Sequence, residues 1–211
     1  MSRLSVLALL FIPLLTSCGQ RTVIEKTFDP DAVMANIAAT YWQAQLNASP
    51  TWASYLGKRA YDAQLPDLSK TGRERYRAAL SSIRDSLARL DLAQLSPQSR
   101  ISADVLKSRV DSYFSNEICQ NWSWVVDQLN GPQVWLGEIP SYHIIDGPER
   151  AASLLARYRG IQLLLENQIS NLRSGLQQGW VATRINVTRV IEQLDTLLDG
   201  PVAQSPFIAP V

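Results

Sequence analysis

Proline placement constrains this chain most. Four prolines stand directly behind a residue suited to the start of a helix: Asp29-Pro30, Ser49-Pro50, Ser96-Pro97 and Gly147-Pro148. Proline has no amide hydrogen and holds φ at about −65°, so it fits the first helical position and little else in a helix. Behind these starts, apolar residues recur at steps of three and four. Val33, Ile37, Tyr41 and Ala44 follow the first. A short helix with Trp52 and Leu56 follows the second and closes at Gly57. Thr71 to Leu92 carries Tyr76, Leu80, Ile83, Leu87 and Leu90 on one stripe, with Arg73, Arg77, Arg84 and Asp85 elsewhere. Ile101, Val105, Val110 and Tyr113 mark a helix from Ser96-Pro97 to about Cys119. Gly147-Pro148 opens a long helix through Leu154, Tyr158, Leu165, Ile169, Leu172 and Leu176, which Gly175 and Gly179 should end. A last helix runs from about Thr183 to Leu198.

Between these lie segments that cannot be helical. Leu65-Pro66-Asp67 bars a helix across Lys58 to Ser69. Asn121 to Gly147 keeps neither a 3.6 nor a 2.0 period and is rich in aromatics: Trp122, Trp124, Trp135 and Tyr142. Residues 200–211 hold Pro201, Pro206 and Pro210 and read as an extended, linker-like tail. The fold expected for residues 29–211 is therefore all-α. It is a bundle of five or six mostly antiparallel helices with one irregular aromatic-rich loop excursion.

The first 28 residues follow different rules. Arg3 precedes an apolar run from Val6 to Leu15, and Leu15-Thr16-Ser17-Cys18 closes it. A basic start, a short apolar stretch and small residues before a cut form a secretory signal. A Cys directly after Leu-Thr-Ser is similar to the bacterial lipobox, in which the sulfur takes a diacylglycerol and cleavage falls just before it. A membrane span needs about 20 apolar residues, and Gly19, Gln20 and Arg21 end this run early. Residues 1–17 are expected to be signal, Cys18 the lipidated residue, and 18–28 a tether. Acyl chains would then hold the protein at the cell envelope. Gly19 rather than Asp after the Cys points to the periplasmic face of the outer membrane in a Gram-negative source.

Charge narrows the partners. The chain has 20 basic and 19 acidic residues, and loss of Arg3 with the signal makes them equal. No basic face follows from that balance, and nucleic acid is not an expected partner. His143 is the single histidine, so a two-His zinc motif is impossible in this chain. It reads as a hydrogen-bonded or surface residue, with acid–base work as the alternative. Asp62 and Asp67 read as caps of a turn and of the Thr71 helix; a catalytic carboxylate pair is the alternative. The Arg73, Arg75, Arg77 cluster reads as a solvated helix face. Cys119, left alone if Cys18 is lipidated, reads as a small buried hydrophobe. Trp122, Trp124 and Trp135 read as core, with a ligand groove as the alternative.

Two stretches, Trp52-Ala53-Ser54-Tyr55-Leu56-Gly57 and Tyr61-Asp62-Ala63-Gln64-Leu65-Pro66-Asp67-Leu68-Ser69, resemble the N-terminal part of the bacterial domain-of-unknown-function 885 proteins. Gln128-Leu129-Asn130-Gly131-Pro132 and Leu172 to Gly179 continue the likeness, which covers roughly residues 32 to 211. Ala182-Thr183 departs from it, because the family tends to carry a proline there. The resemblance marks Trp52, Gly57, Tyr61, Asp62, Leu65, Pro66, Asp67, Asn130 and Gly131 as motif residues without assigning them roles. It implies an exported, often lipid-anchored, helical protein. The second half of such proteins carries a His-Glu-x-x-His zinc motif of metallopeptidase type. This chain has no such motif, so it is expected to hold no cofactor and to match the non-catalytic region alone. Trp135, Tyr142 and His143 would then face a cleft completed by the catalytic half. The partners implied are the membrane through Cys18 and a downstream catalytic half or another envelope protein. The alternative is a complete envelope lipoprotein acting as a binding or structural module.

Overall fold

The computed structural model describes residues 28–208. The expected signal, Cys18 and nearly all of the expected tether lie outside them. Among the described residues there is no strand. Nine α-helices follow in order within these described residues: α1 (Pro30–Ala48), α2 (Pro50–Tyr55), α3 (Lys70–Ala88), α4 (Pro97–Asn116), α5 (Pro132–Trp135), α6 (Ile139–Tyr142), α7 (Pro148–Arg159), α8 (Ile161–Gln177) and α9 (Arg184–Asp199). Six of them are long, one more than the periodicity predicts, and the excursion between α4 and α7 holds only short helical turns.

The four proline starts all open helices. Asp29 accepts from the Asp31 amide at 3.0 Å, and Ser96 from Ser99 at 3.3 Å, each satisfying a free first-turn donor. Ser69 does the same for α3 at Gly72. Ser49 and Gly147 make no side-chain cap. Gly57 sits at φ +78 behind α2. There the Lys58 amide reaches the Ala53 carbonyl and the Gly57 amide reaches Ser54, a glycine-closed helix end.

α3 runs antiparallel to both α1 and α4. Gln45, late in α1, bonds Tyr76, early in α3. Tyr76 meets Tyr113, late in α4, edge-on at 5.3 Å. Asp31 also accepts from the Ser96 amide at 3.0 Å, tying the starts of α1 and α4. Met34, Ile37, Leu80, Ile83, Leu87, Leu106 and Val110 fill the space between the three helices. A second, smaller core gathers Leu136, Ile139, Leu154 and Leu164, with Leu65, Leu68, Trp135 and Tyr142 against it.

Three expectations need correction. The helix from Pro148 is not continuous: it breaks at Gly160. A Cβ there would lie 3.3 Å from Leu65 Cδ1, so the 58–69 loop presses on the break. Gly175 does not end α8. It is a buried interior residue whose absent side chain makes room for the Ser123 carbonyl, 1.9 Å from where a Cβ would be. Gly179, at φ +83, is the terminator. The tail is not extended throughout. It turns at Val202–Gln204, and Phe207 packs on Tyr158 with ring centroids 5.9 Å apart.

Candidate functional site

The 58–69 loop and α7 carry the most chemistry in the molecule, and they meet. Tyr61 ends a short 3-10 turn, Arg59–Tyr61, and Asp62 caps it. Asp62 is buried, 2% exposed, and forms an ion pair with Arg150 in the first turn of α7. Two turns further on, Arg157 is 1% exposed. Its Nη2 donates to Ser54 Oγ at 2.5 Å and to the Tyr61 carbonyl at 2.6 Å. These bonds fasten α2 and the loop to α7. Arg157 has only neutral partners, and its Nε and Nη1 are buried with none. Desolvation pulls its pKa down from the usual arginine range, yet arginine remains a cation at neutral pH.

His143 closes this cluster from the excursion. It is 2% exposed, and its Nε2 lies 2.9 Å from the Arg150 carbonyl. A carbonyl only accepts, so Nε2 carries the proton and Nδ1 is a bare, buried acceptor without a partner. Burial pushes the imidazole pKa below its ordinary value, and the nearby Arg157 charge works the same way. His143 is therefore neutral at pH 7. Its expected hydrogen-bonded role fits this geometry.

Asp62 and Asp67 do not pair. Asp67 accepts from the Ser69 amide at 3.0 Å and from Arg75 at 3.0 Å. The Ser69 bonds, then the Arg75 charge, hold its carboxyl below the usual carboxylate range. It closes the turn before α3, while Ser69 is the helix cap. Leu65 enters the second core and Pro66 sets the backbone behind it. Tyr61 also donates to Asn47 at 3.0 Å. Trp52 packs edge-on against Trp42 at 5.2 Å. Asn130 bonds Asp127 at 3.0 Å, and Gly131 precedes α5 with its amide on the Asp127 carbonyl. Trp135 and Tyr142 are half-buried; Tyr142 meets Tyr55 edge-on at 5.9 Å.

Two readings of surface residues are overturned. The arginine cluster is not simply a solvated face. Arg73 turns inward, donating to Leu68 O at 2.8 Å and Asn171 Oδ1 at 2.9 Å, with its guanidinium 4.0 Å from the Trp122 ring centroid. Arg77 pairs with Glu117 at 2.9 Å. Cys119 is an exposed free thiol rather than a buried one.

Sequence reasoning missed Arg150, Arg157 and Asn171. The signal was there for Arg157, which stands between Leu154 and Tyr158 on the apolar stripe of α7. A charged residue on a buried stripe needs a partner. Among the described residues no group of three His, Cys, Asp or Glu could hold a metal ion. The described residues do not fit a zinc site. What the cluster does is mechanical: it locks the 52–69 segment onto α7.

No curated protein matches this chain. A family model described as "Bacterial protein of unknown function (DUF885)" matches residues 50–211, from the proline that opens α2 through the loop, the excursion and the later helices. The match begins later than the likeness at about residue 32, leaving α1 outside it. By that match the chain belongs to the DUF885 family.

Proposed function

We propose that this chain is the non-catalytic helical region of a lipid-anchored envelope protein, and that its α8–α9 side docks the zinc-binding catalytic half of the family. One observation carries the reading. α9 is amphipathic, yet none of its residues is buried. Val187, Ile191, Leu194 and Leu198 form a ridge at steps of four, three and four, from 37% to 79% exposed. On α8, Leu165, Ile169 and Leu176 are exposed as well, as are Trp180 and Val181 in the turn between the two helices. An amphipathic helix normally lays its apolar stripe on a core, and a large exposed apolar patch marks an interaction surface.

The anchor rests on the lipobox-like Leu15-Thr16-Ser17-Cys18. Palmitate labelling in the source cell should mark the protein, and Cys18→Ala should abolish it. The docking is tested by mixing. The separately expressed downstream half should gain zinc-dependent peptidase activity with this chain, and Leu194→Arg should remove the gain without lowering Tm. No gain on mixing, together with a monodisperse chain that binds no hydrophobic dye, would sink this reading and favour a self-sufficient binding or structural module.

A further inference from the structure

We propose that the groove between the start of α3, the end of α4 and residues 117–122 is a binding site for a small aromatic carboxylate. The groove encloses about 470 Å³ and is walled by Lys70, Arg73, Arg77, Tyr113, Glu117 and Trp122. That size suits a small organic ligand. Its charge is unbalanced in a specific place. Lys70 has Glu74 at 3.7 Å, and Arg77 has Glu117 at 2.9 Å. Arg73, between them, hydrogen-bonds only the neutral oxygens of Leu68 and Asn171, both through Nη1, and lies over the Trp122 ring, while the Glu74 and Asp67 charges act on it without a direct contact. Its Nε and Nη2 are the unused edge of a partly buried guanidinium. Desolvation lowers its pKa, so a counter-ion would restore lost solvation. A planar fork of this kind takes a carboxylate through two parallel bonds.

The aromatic preference comes from the walls. Trp122 is 37% exposed, and Tyr113 is half-buried beside it. A ligand ring would pack on the parts of Trp122 and Tyr113 that Arg73 leaves open, with its carboxylate toward Arg73. The rim is also built rigid. Gln120 has φ 44 and ψ 41, the one non-glycine residue with positive φ among the described residues. It is held there by Ser123, whose amide and hydroxyl both donate to the Gln120 carbonyl at 2.8 and 2.7 Å. Ser123 in turn is seated against Gly175 of α8. A backbone kept in a sparsely populated conformation beside a groove is a common feature of ligand sites, and a rigid rim lowers the entropic cost of binding.

Calorimetric titration of the full chain in detergent with phenylacetate and with its neutral amide, phenylacetamide, tests this. Phenylacetate should bind with a Kd of about 1 mM and the amide at least about tenfold more weakly. Arg73→Met should bring phenylacetate down to the level of the amide. Trp122→Leu should weaken both by a similar factor. Should Arg73→Met fail to fold, Arg73→Lys keeps the charge, loses the fork and should still bind phenylacetate several-fold more weakly. Absence of heat at about 10 mM phenylacetate, equal affinity for acid and amide, or variants that bind like the parent would each overturn the proposal.

Discussion

Nine buried apolar side chains, from Met34 to Val110, close the bundle of α1, α3 and α4; four, Leu136, Ile139, Leu154 and Leu164, close the half built on α6, α7 and α8. The buried polar residues divide the other way. Ser54, Asp62, Ser123, His143, Arg157 and Asn171 all lie outside the first bundle. The bundle's buried interior is apolar, its polar ties such as Gln45–Tyr76 and Asp31–Ser96 being only part-buried, and apolar burial is non-directional. The other half has less such area and substitutes bonds of fixed geometry between α7, α8 and the 52–69 segment. Directional bonds specify one arrangement of irregular chain, but each fails sharply when one partner goes.

The largest effect should come from breaking that polar half at its ion pair. Asp62→Ala leaves Arg150 unpaired in a nearly buried place, its side chain 13% exposed, and should cost about 3–5 kcal/mol in urea unfolding. Arg150→Met should cost a similar amount. The double variant should cost clearly less than the two together, because no charge is then stranded. A cost below about 1 kcal/mol for Asp62→Ala would make the pair a surface-like contact and remove the contrast between the halves.

Apolar truncation sharpens the comparison from the other side. Leu80, 1% exposed, and Leu164, 3% exposed, occupy corresponding places in the two cores. Each Leu→Ala change should cost about 2–5 kcal/mol, depending on how far the site collapses. Leu80→Ala should fall higher in that range, since long helices on three sides resist closing the cavity. Leu164 adjoins short turns that can shift inward. Equal losses would mean that the second core is packed as tightly as the first. A smaller effect belongs to Gly175→Ala, which drives a methyl into the Ser123 carbonyl. Overpacking of this kind costs about 1–3 kcal/mol, and should release Trp122 from Arg73, read as a change in tryptophan emission.

These contrasts also explain what the residues revealed in advance. Helix starts at Pro30, Pro50, Pro97 and Pro148 were legible because proline and its neighbour act locally. The stripe Tyr76, Leu80, Ile83, Leu87 was legible because burial on a helix repeats every 3.6 residues. The break at Gly160 was not, since it depends on Leu65, which is distant in sequence. The true place of Gly175 depends likewise on Ser123. Asp62 was singled out, but with Asp67 as its companion. Its real partner, Arg150, is 88 positions away, and no local pattern encodes a pairing at that range. The inward turn of Arg73 was hidden for the same reason: Asn171 and Trp122 arrive from other elements.

The smallest effect is also the most specific to the polar half. His143 is buried neutral with a bare Nδ1, and its folded pKa lies below the ordinary histidine value. The unfolded chain should titrate at about pH 6.5. Above that pH both states carry a neutral imidazole, and the preference for the neutral form contributes its full stability. As pH falls through 6.5 toward the depressed folded value, the unfolded state takes up a proton that the folded state refuses, so stability declines. Below the folded value both are protonated and the contribution is gone. The Arg150 carbonyl and the Arg157 guanidinium face the imidazole from α7, so protonation adds a cation where the one charge acting on it is another cation. His143→Gln can retain a donor to the Arg150 carbonyl and has no titration. The difference in Tm between parent and variant, followed from pH 7.5 down to pH 5, should therefore shrink steadily below about pH 6.5. A difference that stays constant across that range would place the imidazole in water and remove it from the polar half's buried contacts.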